Sequence, residues 1–483
     1  MPSDSSTPKK RRQSLLFSVK SIFKGSKPHT GAGPAPESPW SSNTAGRPEN
    51  LPTIHEAVRD NDILAVDRVL VAFPQSLDET DDQGMTPLAL AFLHNNLPMA
   101  THLHTRGASP LPEHNNEESL ACFAVIAQNP ALIHWLASLG QTDRLFNTPG
   151  PDGNYPLHQA VLCKNLDVVR ALLEGGADPN LHAAQLPDPA AEPPTTKTLL
   201  GIGTPLFYIL DSRMGSSHFL ETRFATLQLL LQHSAAIDIP QEVDGTYPLH
   251  EAIISGWPRH FITTLLDHQP QQQAAKATTP ATTTTTTTTP PPPPPPPTDI
   301  VNAGTLLGSP PRDPALRNTT PLMYAAGTGR AWLVRLLLDR GANPHATNAL
   351  GETPLHWAGV NVAGANAGND GLDGKEEGRF GGAGEGAEII RLLVEGCGVD
   401  VDVRCETGAT PLHGAAYRGR MENVRALLEL GADWGVVARD LHYERLVGVG
   451  GTPEEMARGE GGALEAGLGG GDGLCCRGKL LLA

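Results

Sequence analysis

At 483 residues, with 18% charged side chains and a formal charge of −16, the chain has an acidic main body without the clustered positive charge that phosphate contacts require, which disfavours nucleic-acid binding by that body. Its six cysteines (Cys122, Cys163, Cys397, Cys405, Cys475, Cys476) form no CxxC pair, and no apolar run of about 18 residues exists to span a membrane. With no apolar leader at the start, the expectation is a reduced, intracellular home, cytoplasmic, nuclear or both.

Residues 1–50 come first in the chain, rich in Ser, Pro, Lys and Gly, and are expected to form a disordered basic tail because they carry too little apolar surface to offset ordering entropy. Residues 1–30 hold seven Lys or Arg against one Asp, so this stretch is about +6 and the remainder about −22. The cluster Lys9, Lys10, Arg11 and Arg12 fits a nuclear-import signal; a plain solvated tail is the alternative. Arg11-Arg12-Gln13-Ser14 matches a basophilic kinase site, and phosphate on Ser14 would weaken the cluster's positive field. Leu15, Leu16, Val19, Ile22 and Phe23 then share one helical face beside Lys20, Lys24 and Lys27. That basic amphipathic segment suits a partner's groove or, less readily, an anionic membrane; an inert tail is the blander reading.

From residue 51 a unit recurs. Thr353-Pro354-Leu355-His356 and Thr410-Pro411-Leu412-His413 are identical, and Tyr155-Pro156-Leu157-His158 and Tyr247-Pro248-Leu249-His250 are near copies. Thr at an N-cap satisfies an orphan backbone donor, and Pro at the first helical position loses nothing, so each copy starts a short inner helix. Small pairs such as Ala325-Ala326 and Ala415-Ala416 suit close packing, and Gly329 or Gly419 can end the helix in a left-handed conformation. Apolar residues at helical spacing follow, as in Val168, Val169, Leu172 and Leu173, and make a second, outer helix. Gly-Ala-Asp or Gly-Ala-Asn closes the unit at residues 176–178, 341–343 and 431–433. Starts fall at Thr53, Thr86, Leu120, Tyr155, Thr204, Tyr247, Thr320, Thr353, Thr410 and Thr452; the unit at Leu120 has lost its Thr-Pro, and Thr452 opens a half-unit suited to a C-terminal cap.

Three low-complexity stretches interrupt the units. Pro187 to Lys197 follows the fourth outer helix, and residues 268–297 end in a threonine run and a proline run expected to form a polyproline II spacer. Thr298-Asp299-Ile300-Val301-Asn302-Ala303 then resumes the sixth unit, so the excursion reads as a loop from its outer helix. The Gly-rich residues 364–386 separate the inner and outer helices of the eighth unit; they lack the GK[ST] and the preceding strand of a phosphate cradle. The resulting division is tail 1–50, units 51–267, insert 268–297, units and cap 298–460, and a Gly-rich tail 461–483. Cys475 and Cys476 in that tail are not a prenylation box, and palmitoylation there is a weak option.

The string Thr320-Pro321-Leu322-Met323-Tyr324-Ala325-Ala326-Gly327, with Leu336-Leu337-Leu338 and Gly341-Ala342-Asn343-Pro344 after it, resembles the ankyrin repeat, and the Thr320 to Thr353 step matches that family's 33-residue period. The resemblance implies an all-α solenoid of stacked helix-turn-helix units with β-hairpin-like finger loops, in which each unit covers its neighbour's apolar flank. It also implies that protein partners bind the concave face formed by fingertips and inner helices. Carried over unit by unit, the candidates are Glu406, Thr407, Tyr417 and Arg418 in the ninth repeat, Ala349, Leu350, Val360 and Asn361 in the eighth, and Val243, Asp244, Ile254 and Ser255 in the sixth. Tyr417 and Arg418 are favoured hot-spot types, whereas Trp257 and Trp357 are expected to pack within the stack.

No catalytic signature is present: GxSxG, GxxxxGK[ST] and HExxH are all missing. His55, His158, His250, His356 and His413 lie one per repeat, too far apart for one zinc ion, so imidazoles bonded to nearby backbone are expected. No cofactor or metal is expected. The reading is a non-enzymatic adaptor or scaffold for an unidentified protein partner. The alternative is a regulatory or targeting subunit placed on a membrane or enzyme by its basic N-terminal segment.

Overall fold

The computed structural model describes residues 51–111, 119–150, 153–183, 203–210, 220–241, 245–278, 299–306, 317–360, 384–438, 449–450, 452–453 and 462–463. Lys9, Lys10, Arg11, Arg12, Ser14, the 187–197 insert, the Thr and Pro runs, most of 364–386 and nearly all of 461–483 lie outside the described residues. The chain divides into two compact units, residues 1–191 and 192–483.

The first unit contains α1 (Ile54–Arg59), α2 (Ile63–Ala72), α3 (Pro87–Leu93), α4 (Leu97–Thr105), α5 (Leu120–Ile126), α6 (Pro130–Ser138), α7 (Thr142–Phe146), α8 (Pro156–Cys163) and α9 (Leu166–Glu174). The second contains α10 (Pro205–Leu210), α11 (Leu220–Gln232), α12 (Pro248–Ile254), α13 (Arg259–Thr278), α14 (Pro321–Gly327), α15 (Ala331–Asp339), α16 (Pro354–Val360), α17 (Glu385–Arg391, continued by a π turn to Gly396), α18 (Pro411–Tyr417) and α19 (Met421–Glu429). Strand structure among the described residues is confined to one antiparallel pair, β1 (Val449–Gly450) with β2 (Gly462–Ala463). The fold is therefore the expected stack of helix pairs.

The helix starts follow from their caps. Thr53 Oγ1 accepts the Glu56 N–H at 3.1 Å, Thr86 Oγ1 that of Ala89 at 3.1 Å and Thr320 Oγ1 that of Met323 at 3.4 Å. Where the third repeat lacks Thr-Pro, Ser119 takes over: its Oγ accepts the Ala121 N–H at 3.1 Å and donates to the Leu145 carbonyl at 2.7 Å. Between inner and outer helix the backbone turns through a left-handed residue. Gly256, Gly329 and Gly419 fill that place in the second unit, as glycine does at least strain, but Asn61, Asn95, Gln128 and Lys164 fill it in the first.

Each inner helix packs on the next, α1 to α3 to α5 to α8 in one unit and α10 to α12 to α14 to α16 to α18 in the other. Their leucines, Leu88, Leu157, Leu249, Leu322, Leu355 and Leu412, are buried at this seam. The approach is close enough to require small residues. A Cβ on Gly359 of α16 would lie 2.6 Å from the Pro411 carbonyl oxygen at the start of α18.

The long insert departs from the expected boundary in one respect. α13 continues as helix to Thr278, beyond residue 267, where a loop was expected to begin. Gln271, Gln272, Gln273, Ala274, Ala275 and Lys276 are good helix formers, so the helix continues beyond Pro270, which supplies no N–H to the ladder, before the threonine run. At the far side, Asn302 Nδ2 donates to the Gly341 carbonyl at 3.1 Å and its Oδ1 accepts the Asn343 N–H at 2.7 Å. Asn147 makes the same pair with the Gly176 carbonyl at 3.3 Å and the Asp178 N–H at 2.9 Å. Asn302 thus serves the next repeat as Asn147 does, although the long insert precedes it.

Candidate protein-binding face

The fingertip candidates occupy matching turns. In the ninth repeat Cys405 N–H bonds the Ala409 carbonyl at 3.0 Å and Gly408 N–H the Cys405 carbonyl at 2.9 Å, which places Glu406 and Thr407 at the tip. In the eighth repeat Asn348 and Glu352 close the same hairpin at 3.0 Å, with Ala349 and Leu350 at the tip and Gly351 at φ +72° behind them. Adjacent tips are joined backbone to backbone: Glu406 N–H donates to the Leu350 carbonyl at 2.9 Å, and Ala349 N–H to the Arg317 carbonyl at 2.8 Å. The bonds hold the tips in register while Glu406 is exposed and Leu350 and Thr407 half-buried. In the sixth repeat Val243 and Asp244 lie outside the described residues, as does Asn361 of the eighth.

The inner-helix candidates also align. Tyr417, Val360 and Ile254 are the last residues of α18, α16 and α12, and Arg418 and Ser255 cap two of those helices. Tyr417 is half-buried against Ala409 and Ala438 at the base of the hairpin, and Arg418 is half-buried beside it. Ser255 donates to Glu251 Oε1 at 2.5 Å. Val360 departs from the expectation of an open contact: it is only 8% exposed, because its small apolar side chain is spent on packing at the helix end.

One surface element was not read from the sequence. Tyr324 of α14 and Trp357 of α16 sit at the same offset from their prolines and meet edge to face, with ring centroids 5.4 Å apart. Tyr324 in turn meets His250 at 5.6 Å. Trp357 is half-buried, not enclosed in the stack as Trp257 is at 5% exposure. Its ring is held by Gly327, where a Cβ would lie 2.9 Å from Cε3, and by Nε1, which donates to Glu352 Oε2 at 3.2 Å. That carboxylate also accepts from Asn348 Nδ2 at 2.9 Å. The signal was available: an aromatic side chain three residues after Pro321 and again after Pro354.

The histidines brace this face from within. In each of His356 and His413, Nδ1 accepts the N–H of the capping threonine at 3.1 Å. His356 Nε2 reaches the Ala409 carbonyl of the following repeat at 3.1 Å, and His55 Nε2 reaches Met85 at 3.0 Å. One ring therefore caps its own helix and ties it to the next. Burial pushes His250 and His356 down to about 4, so both rings are neutral at physiological pH. Among the described residues no cluster of His, Cys, Asp or Glu could hold a metal ion, and no helix is long and apolar enough to cross a membrane.

A second brace comes from Arg330 at the head of α15. Its fully buried guanidinium donates to the carbonyls of Ile253 and, at 3.4 Å, Trp257 in the preceding repeat. Burial lowers it to about 10, which leaves it charged near neutral pH. Asn423 of α19 does the same for the Ala358 and Gly359 carbonyls, at 3.0 and 3.1 Å. Side chains of a later repeat thus satisfy the carbonyls at the ends of inner helices.

Comparison with known proteins agrees with this architecture. The family described as "Ankyrin repeat" matches residues 152–183 and 407–440, and "Ankyrin repeats (many copies)" matches residues 308–358. A putative palmitoyltransferase ZDHHC13 of Danio rerio is 32% identical over 138 residues, 28% of this chain and 20% of that protein. The neurogenic locus notch homolog protein 4 of Homo sapiens is 34% identical over 114 residues, 24% of this chain and 4% of that protein. The chain therefore spans a fifth or less of the curated relatives it matches. Among solved structures, the ankyrin repeat domain of Bcl-3 aligns at 22% identity and a TM-score of 0.36, covering 56% of this chain and 93% of that one. With matched segments in both compact units, each lying on observed helix pairs, the chain carries ankyrin repeats, which indicate a protein-interaction domain.

Proposed function

We propose that the chain is a non-enzymatic adaptor that binds a protein partner on the fingertip and inner-helix side of its eighth and ninth repeats. The observation that carries the reading is the backbone bond between the tips at Leu350 and Glu406, with Tyr417 seated on the hairpin base next to them. A surface ordered before binding loses less conformational entropy on association. Tyr417 supplies aromatic area, Arg418 a planar donor, and Glu406 and Thr407 polar contacts at the rim. Affinity capture with the full chain and with a Tyr417→Ala/Arg418→Ala variant tests it. Loss of one specific partner at unchanged folding supports the assignment; an identical set of captured proteins places the working surface elsewhere.

A targeting role is the second reading, favoured by the Lys9 to Arg12 cluster and the amphipathic residues after it. On that reading the protein divides between cytoplasm and nucleus according to whether the cluster is exposed. Deleting residues 1–28 would then shift its location and leave partner capture intact; an unchanged distribution would remove this reading.

A further inference from the structure

Leu64 and Val71 on α2 are 73% and 82% exposed, far more than most large apolar side chains described. Both lie on the solvent side of the first repeat's outer helix, opposite the buried Val66 and Val69. Seven residues separate them, two helical turns or about 10.5 Å. Ile63 and Leu70, half-buried, repeat the same interval one residue earlier, so α2 presents apolar doublets at 63–64 and 70–71.

The chain supplies a matching element. Leu15 and Leu16 with Ile22 and Phe23 are doublets at the same seven-residue interval, with Val19 between them, on one face of a segment with helical periodicity. The 3.5-residue average spacing on both sides is the one that lets two helices keep a continuous seam. Charge agrees as well. Residues 51–85 carry eight Asp or Glu against two Arg; of the exposed acids Asp62 caps α2 beside Leu64, and Arg68 is the exposed charge between Leu64 and Val71. Residues 1–30 carry seven Lys or Arg against one Asp.

We propose that residues 15–23 dock as an amphipathic helix on the Leu64/Val71 face of the first repeat, and so bring the Lys9 to Arg12 cluster next to a repeat of net negative charge. The tether favours this occupant over a second copy or a separate partner. Residues 24–50 join the segment to the repeat, and a flexible tether of that length would reach about 25–30 Å, longer than the roughly 15 Å of α2, which would present the segment at an effective concentration of about millimolar. Docking covers the basic cluster and couples its exposure to Ser14. Phosphate there adds about −1.5 to −2 charge beside a repeat that is already net negative and favours release.

Hydrogen exchange on the full chain tests the proposal. Amides of residues 15–23 are expected to exchange at least tenfold more slowly than in a free peptide of residues 9–28, and residues 63–72 to lose protection when residues 1–28 are removed. Two double variants, Leu64→Glu/Val71→Glu on the repeat and Leu16→Glu/Phe23→Glu on the segment, are each expected to return residues 15–23 to the peptide rate with the thermal midpoint of the array unchanged. Because the second pair lies outside the repeats, it cannot act by unfolding them. Peptide-like exchange of residues 15–23 in the unmodified chain overturns the proposal. So does a concentration-dependent dimer in sedimentation that Leu64→Glu/Val71→Glu abolishes, which would assign the face to a second copy.

Discussion

Lowering the pH from 7 to 5 is expected to weaken the second compact unit by about 4 kcal/mol, through His250 and His356. Both are fully buried, and burial holds their folded-state values at about 4 against 6.5 for an unfolded chain. The unfolded state therefore binds protons below pH 6.5 while the folded state does not, so stability is intact above 6.5 and falls as the pH drops toward 4. Each histidine contributes a slope of about 1.4 kcal/mol per pH unit below 6.5, or about 2 kcal/mol by pH 5. Carboxylates are mostly ionised over this interval and add little. Urea titrations followed by helical circular dichroism and tryptophan fluorescence at pH 7 and 5 measure the difference. His356→Gln is expected to lower stability at pH 7, because the bond to the Ala409 carbonyl is lost, and to remove about half of the pH-dependent decline. Equal stability at the two pH values, or a His356→Gln chain with the full decline, would refute the reasoning.

Arg330→Met keeps the side-chain stem but leaves the Ile253 and Trp257 carbonyls without this donor, and is expected to cost roughly 1–3 kcal/mol, read as a lower urea midpoint. Gly359→Ala forces a Cβ to 2.6 Å from the Pro411 oxygen, so α16 and α18 must separate; thermal melting is expected to show a loss of about 1–3 kcal/mol, and an unchanged midpoint would mean the seam is more yielding than its geometry implies. Gln128→Gly relieves a left-handed residue at φ 54° and is expected to stabilise the first unit by about 0.5–1 kcal/mol, visible as a higher midpoint.

Much of this was legible in the sequence because a repeat restates its own instructions. Thr53, Thr86, Thr320 and Thr410 each stand immediately before an inner helix, as expected from the capping chemistry of Thr-Pro. The missing cap of the third repeat was not anticipated, since Ser119 acts through a bond to Leu145 that no local pattern announces. The candidate surface was partly legible. The offsets of Glu406 and Ala349 and of Tyr417 and Ile254 transferred between repeats, but Val360 at the same offset as Tyr417 is buried. Sequence pattern alone leads to a packed Trp357, because its neighbour Gly327 stands in another repeat, and only their apposition shows a ring lying half open.

Local chemistry by itself determined where most inner helices begin, which face of each is apolar, and that the pairs must stack, because capping, proline placement and periodicity act within a few residues of the chain. Tertiary structure alone decided which side chains cross from one repeat to the next. Arg330 reaching back 77 residues to Ile253, Asn423 reaching back 65 to Ala358 and Asn302 taking its place after a long insert depend on distances set by packing, which sequence separation does not encode.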